Sequence, residues 1–244
     1  MQVYTLFPFY TLDPVSTPPS PIVHRKDPII KPHPPVKISR AAAACLLPIC
    51  KEYLRSLNLD LFLEQRYDCY CTKCRSNNSQ KTHTRGGYSY TIPYGWVRFR
   101  IKIDRVHTQE QHIFRQWATS YYGTREENLE IIQRNRFIPL PGDDLLDGKK
   151  FSDHSRDGQH CFTSPSIDYA SEEGRSPTKV VTLSDGRAYR VQVVLQCRQK
   201  PGTFIVQPGT PWLCGVIPVN VIEWKSKQRS TIIPNGLMIR IVKI

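Results

Sequence analysis

The sequence predicts an α+β body in which helices come early and a largely antiparallel sheet comes late. Three observations carry that expectation. Ser39, a good helix-capping residue, precedes the alanine run 41–44 and then Leu46, Leu47 and Ile49, a helix-forming composition with Pro48 as a kink. From 97 to 103 apolar residues fall at every second position, and Tyr189, Val191, Val193, Leu195 and Cys197 repeat that spacing, the period of a strand with one buried face. Between the apolar runs 179–183 and 188–197 stands Ser184-Asp185-Gly186-Arg187, a hairpin signature, because glycine takes the positive φ such turns need.

Taken in order, residues 1–38 hold nine of the chain's twenty prolines. Proline fixes φ and lacks an amide donor, so this stretch reads as an extended tail. Residues 39–87 read as a helical segment, with a second helix over 53–63 and a cysteine-bearing loop ending in the polar run 75–87. The basic residues of the 97–103 strand face outward. A further strand covers 117–122, after which Thr124 caps a helix over 125–134 and Glu127 completes its capping box. The stretch 141–159, rich in Gly, Asp, Lys and His, reads as a long loop. Ser164 then caps a helix with Pro165 at its first position and Gly174 at its end. Short strands over 204–206, 219–224 and 237–244 close the second half.

Composition narrows the class. The chain has 244 residues, 39% of them hydrophobic, enough for a substantial core. Thirty-four Lys and Arg against twenty-one Asp and Glu leave a formal charge of +13, which favours anionic partners such as nucleic acid, nucleotides or acidic protein surfaces. No apolar run approaches the roughly 18 residues of a membrane helix, and the first residues lack the basic start of a signal peptide. The expectation is an intracellular protein, cytoplasmic or nuclear, with no membrane partner.

Cys71 and Cys74 have the two-residue gap that lets two thiolates reach one tetrahedral Zn²⁺. No second Cys-x-x-Cys follows. Cys69 and His83 are the candidates for the third and fourth ligands, against the alternative of ordinary thiols in a loop.

Four further segments bear on chemistry. Tyr122-Gly123-Thr124 ends a strand. Phe162 precedes Ser166-Ile167-Asp168-Tyr169-Ala170, where Ser166 and Tyr169 share a face at helical spacing. The run 189–202 is one long strand leaving through Pro201-Gly202. Glu223-Trp224 precedes Ile233-Pro234-Asn235-Gly236 and a final apolar strand. In this order the segments resemble the poly(ADP-ribose) polymerase-like ADP-ribosyltransferases, closest to the C-terminal transferase-like region of neuralized-like proteins. The resemblance covers roughly 94–244.

That resemblance implies a domain over 88–244 with split antiparallel sheets and short flanking helices, using NAD⁺ as substrate. It implies that Gly123 grips the nicotinamide carboxamide through its backbone. Ser166 bonds the same carboxamide, Tyr169 stacks on the ring, and Phe162 walls its other side. Glu223 is the implied catalytic residue, holding the ribose 2′-hydroxyl. Tyr122 departs from the family's usual histidine. In the 141–159 loop, Lys149, Lys150 and Arg156 are candidates for the pyrophosphate; His154 and the nearby His160 are candidates to supply the function missing at Tyr122 or to join Cys161 in a metal site.

The expected function is transfer of one ADP-ribose to a protein or nucleic-acid acceptor. Two other readings stay open: an inactive module binding NAD⁺ or ADP-ribose, which Tyr122 favours, and a basic nucleic-acid-binding protein with a zinc knuckle.

Overall fold

The computed structural model describes residues 45–75, 80–152, 157–210 and 215–244, all within the unit Ala41–Ile244. The proline-rich tail 1–38, Ser39 and the alanine run lie outside the described residues. Helix α1 (Leu47–Ser56) has Pro48 in its first turn, where the missing amide has no intrahelical partner to lose. The proline therefore opens the helix and does not kink it. In place of a second helix over 53–63, a 3-10 turn (Asp60–Phe62) leads into strand β1 (Leu63–Cys69).

A hairpin follows, β2 (Thr82–Arg85) and β3 (Tyr88–Thr91). The loop expected over 75–87 is thus partly strand. Gly86 and Gly87, at φ +59° and +83°, supply the tight turn between the two arms. Strand β4 (Val97–Ile101) buries Val97, Phe99 and Ile101 as its alternation predicts. Arg98 and Arg100, on its opposite face, each reach Asp68 of β1 at 3.4 Å, and the Arg98 side chain is largely covered.

Short helices α2 (Arg105–Glu110) and α3 (Ile113–Gln116) lead to β5 (Ala118–Gly123). Thr124 does not cap the next helix. Its hydroxyl donates to the Arg125 carbonyl at 3.4 Å, and a 3-10 turn (Glu126–Asn128) precedes α4 (Leu129–Asn135). Then come β6 (Cys161–Thr163), α5 (Ile167–Ala170), β7 (Lys179–Thr182), β8 (Ala188–Gln199), β9 (Ile205–Gln207), β10 (Glu223–Ser226) and β11 (Ile232–Lys243). The hairpin read at Gly186 joins β7 to β8, with Gly186 at φ +71°.

Every strand pairing is antiparallel among the described residues. The larger sheet runs β1-β4-β11-β8-β5, with β7 beside β5 on the same edge of β8; a second sheet runs β6-β10-β9. Tyr189, Val191, Val193, Leu195 and Cys197 share one face of β8 and enter the main core beneath α1 and α4, as their spacing predicts. The opposite face is buried too, where Val194 meets Trp96, Tyr121, Ile167 and Met238. The period of two shows that one face is buried; it is silent on whether α5 and its neighbours cover the other.

Among the described residues one backbone bridge joins the two sheets, and Thr163 of β6 also donates to Gln199 Oε1 of β8 at 2.6 Å. Tyr121 donates to the Ser164 carbonyl at 2.7 Å and Ser164 returns the bond at 2.9 Å. Beyond that bridge they separate, and the fork holds the candidate site. No helix among the described residues is long and apolar enough to cross a membrane.

Candidate functional site

Gly123 sits two residues past the Tyr121–Ser164 bridge, on the edge of β5 away from β8. Peptide groups alternate along a strand, so the N–H and C=O of Gly123 leave the same edge as those of Tyr121, into the fork. A side chain is excluded there. A Cβ on Gly123 would lie 2.1 Å from the Ala170 carbonyl oxygen and 2.8 Å from Cβ of Arg175.

Glu223 enters the fork from β10. Its neighbour Trp224 is buried against Phe204, stacked at 4.6 Å, and against Tyr88 at 5.1 Å. Adjacent strand residues point to opposite faces, so fixing Trp224 turns Glu223 toward α5. The carboxylate is 3% exposed and three donors meet it. Tyr169 donates to Oε2 at 2.9 Å, Gln207 donates to Oε1 at 2.8 Å from the facing position of β9, and Arg175 reaches Oε2 at 3.4 Å.

Tyr169 is buried, and its hydroxyl also accepts from the Thr210 amide at 3.2 Å. The Arg175 guanidinium lies 4.1 Å from the centre of the Tyr169 ring and also bonds Glu172. A planar cation therefore occupies the space between the tyrosine face and the glutamate. The room left between Gly123, Phe162, Ser164, Tyr169, Arg175 and Glu223 is about 10 Å³, roughly the probe volume of one water.

The other residues singled out from sequence divide. Phe162 lines the fork, with Lys225 Nζ 5.8 Å from its ring centre. Ser166 is spent locally: its hydroxyl caps α5 by accepting from the Tyr169 amide at 3.4 Å, the role expected of Ser164. Ser164 instead lines the fork, and its hydroxyl accepts from the Ser166 amide at 3.0 Å. Tyr122 faces away, its ring buried in the main core. Thr124 is buried at the strand's exit.

In the 141–159 loop, Lys149 and Lys150 are exposed and pair with Asp147 at 3.5 Å and Asp144 at 2.5 Å. His154 and Arg156 lie outside the described residues. His160 pairs with Asp157 at 2.8 Å, and Cys161 belongs to the main core.

Arg175 and Gln207 carried no local signal in the sequence. Arg175 follows the glycine read as a helix end, and Gln207 meets Glu223 only through strand pairing.

A second cluster joins the start of α1 to the end of β1. The sulfurs of Cys45, Cys69, Cys71 and Cys74 all lie within 4.8 Å of one another, an arrangement that can hold a metal ion. The Cys45 sulfur is 3.5 Å from that of Cys74 and 3.8 Å from that of Cys69. Cys45, not His83, is the fourth member. His83 turns to β3, where its ring stands 6.1 Å from that of Tyr90 and its Nδ1 is 3.1 Å from Gln80 Nε2. The sequence hid Cys45 at the end of an alanine run, read as the flank of a helix. Cys50 and Cys197 are core thiols, and burial pushes Cys50 up to about 12.

The sequence matches no known protein-family model. A search of curated proteins likewise returns no match.

Proposed function

We propose that the chain is an NAD⁺-dependent ADP-ribosyltransferase and that the fork between the sheets is its active site. The observation that carries this reading is the buried Glu223 carboxylate, set against Tyr169 and facing the Gly123 edge. The N–H and C=O of Gly123, on the strand edge away from β8, match the acceptor and donor of a carboxamide, and the Tyr169 face suits a planar cationic ring.

In the reaction the bond between nicotinamide nitrogen and ribose C1′ breaks, and its electron pair leaves with nicotinamide. Glu223 accepts the ribose 2′-hydroxyl and stabilises positive charge developing on the sugar. The acceptor's nucleophile then bonds C1′ and loses its proton. Arg175 stands where the nicotinamide ring belongs in this reading, matching its planarity, its charge and its contact with Glu223. It swings out when NAD⁺ enters. Tyr122 faces the main core, so the adenosine ribose is not assigned to it.

Incubation with NAD⁺ labelled on the adenine side tests this. Labelled protein or acceptor, with free nicotinamide, is expected, and both disappear in Glu223→Gln. Nicotinamide release indifferent to Glu223 would remove the proposal. The narrow fork and the orientation of Tyr122 favour a second reading, a module that holds NAD⁺ or ADP-ribose without turnover; binding without nicotinamide release would decide for it.

We also infer that the four-cysteine cluster holds Zn²⁺. With Zn–S bonds of about 2.3 Å, the edge of a tetrahedral site is roughly 3.8 Å, close to the two sulfur separations above. Cysteine sulfur as the whole donor set selects zinc over the hard cations. The ion's task is structural, tying the start of α1 to the end of β1.

A further inference from the structure

A polar cavity of about 360 Å³ lies on the same face of the large sheet as Tyr121 but toward the start of β5, away from Gly123. Its walls come from β2 and β3 (His83, Arg85, Tyr90), from Arg98 on β4, and from Arg198 on β8. Arg75 completes a set of four arginines around it, and no acidic side chain lines it among the described residues.

The charges there are poorly compensated. Arg98 reaches Asp68 at 3.4 Å. Arg85 and Arg198 are held by neutral acceptors, the Phe114 carbonyl at 2.6 Å and the Thr119 hydroxyl at 2.5 Å. Arg198 is only 8% exposed, and the Nε–H groups of Arg85, Arg98 and Arg198 are buried with no acceptor among the described residues. Burial, and then the charge of Arg85, pulls the Arg198 guanidinium down to about 10, so it stays charged at neutral pH. Arg198 is therefore a buried cation with no acidic partner among the described residues, which is costly to the fold, and a ligand that supplies the negative charge removes the cost.

We propose that this cavity binds the phosphomonoester of a nucleotide. Several guanidinium groups around one cavity offer more donors than a carboxylate can accept, and a phosphate presents three acceptor oxygens. Tyr70, Tyr90 and Tyr94 line the same cavity; the Arg75 guanidinium lies over the Tyr70 ring at 5.3 Å, which leaves Tyr90 and Tyr94 as the aromatic groups for a base. The volume falls within the range of small-molecule sites, about 300–1,000 Å³. The proposal does not rest on the transferase reading, because Glu223 and Tyr169 are not among the lining residues.

Calorimetry on the whole chain in phosphate-free buffer tests it, with adenosine 5′-monophosphate, adenosine and a 5′-phosphorylated tetranucleotide as probes. Both phosphorylated probes are expected to bind and adenosine at least tenfold more weakly; the stronger phosphorylated probe identifies a free nucleotide or a strand end as the source. Arg85→Gln is expected to weaken phosphate-dependent binding at least tenfold, whereas Glu223→Gln leaves it unchanged. Arg198→Met is expected to raise the melting temperature of the unliganded protein while losing the ligand, the reverse of what a purely structural arginine would do. Equal binding of adenosine and its monophosphate, affinity indifferent to Arg85, or a lower melting temperature for Arg198→Met would each overturn the proposal.

Discussion

The Tyr169 hydroxyl donates a 2.9 Å hydrogen bond to Oε2 of Glu223, joining α5 to the first residue of β10 across 54 positions of sequence. Both groups are buried, so the bond is made where water does not compete. Tyr169→Phe removes a donor to a charged acceptor and, with it, the 3.2 Å hydrogen bond that the Tyr169 hydroxyl accepts from the Thr210 amide. The variant is expected to lose about 1–3 kcal/mol in urea unfolding. If Glu223 acts on NAD⁺, nicotinamide release should also fall roughly tenfold or more, the scale of one lost transition-state contact.

Arg175 holds the same carboxylate while covering the Tyr169 ring. Arg175→Ala leaves a buried acid with one fewer partner, and the unliganded variant is expected to melt below the parent. NAD⁺ brings a planar cation to the same place, so it should raise the variant's melting temperature by more than it raises the parent's. An equal shift in the two proteins would show that ligand and guanidinium do not compete.

Gly123 offers a cleaner steric test. Gly123→Ala drives a methyl group into the Ala170 carbonyl, at 2.1 Å before relaxation. The expected loss is about 1–3 kcal/mol, as for overpacking elsewhere, read as a lower urea midpoint with an unchanged slope. NAD⁺ binding should weaken with it, because relieving the clash must shift Ala170 or Arg175, both of which line the fork.

The cysteine cluster predicts one zinc per chain by elemental analysis. Cys45→Ser is expected to lower the metal content as much as Cys71→Ser does, whereas His83→Ala keeps it whole. A strong chelator should lower the melting temperature, by about 2–4 °C for each kcal/mol the ion contributes in a domain of this size. Retention of metal by Cys45→Ser would return His83 to consideration.

Much of the frame was legible because its signals are local. The alternation from Tyr189 to Cys197, the turn at Gly186 and the apolar face of β4 are consequences of a two-residue period, and they stand where that period puts them. Local rules misplaced others. The local pattern predicts a kink at Pro48 because it does not mark where the helix starts, and it predicts Ser164 as the α5 cap although Ser166 takes that role. The Gly86-Gly87 hairpin carries no strand signal because its arms are short and polar, with little apolar alternation to reveal them.

The candidate sites follow the same division. The sequence by itself determined the strand that leads to Gly123 and the helix that carries Tyr169, since spacing and composition act over a few residues, whereas the strand expected over 219–224 is a 3-10 turn at Val219–Val221 with Glu223 opening β10. Tertiary structure decided the company each one keeps. It brought Gln207 opposite Glu223 by strand register, laid Arg175 over Tyr169, and turned Tyr122 into the main core. It also chose Cys45 over His83 to complete the sulfur cluster. Those are contacts between groups far apart in the chain, set by how two sheets and a short helix close on each other, and no local period encodes them.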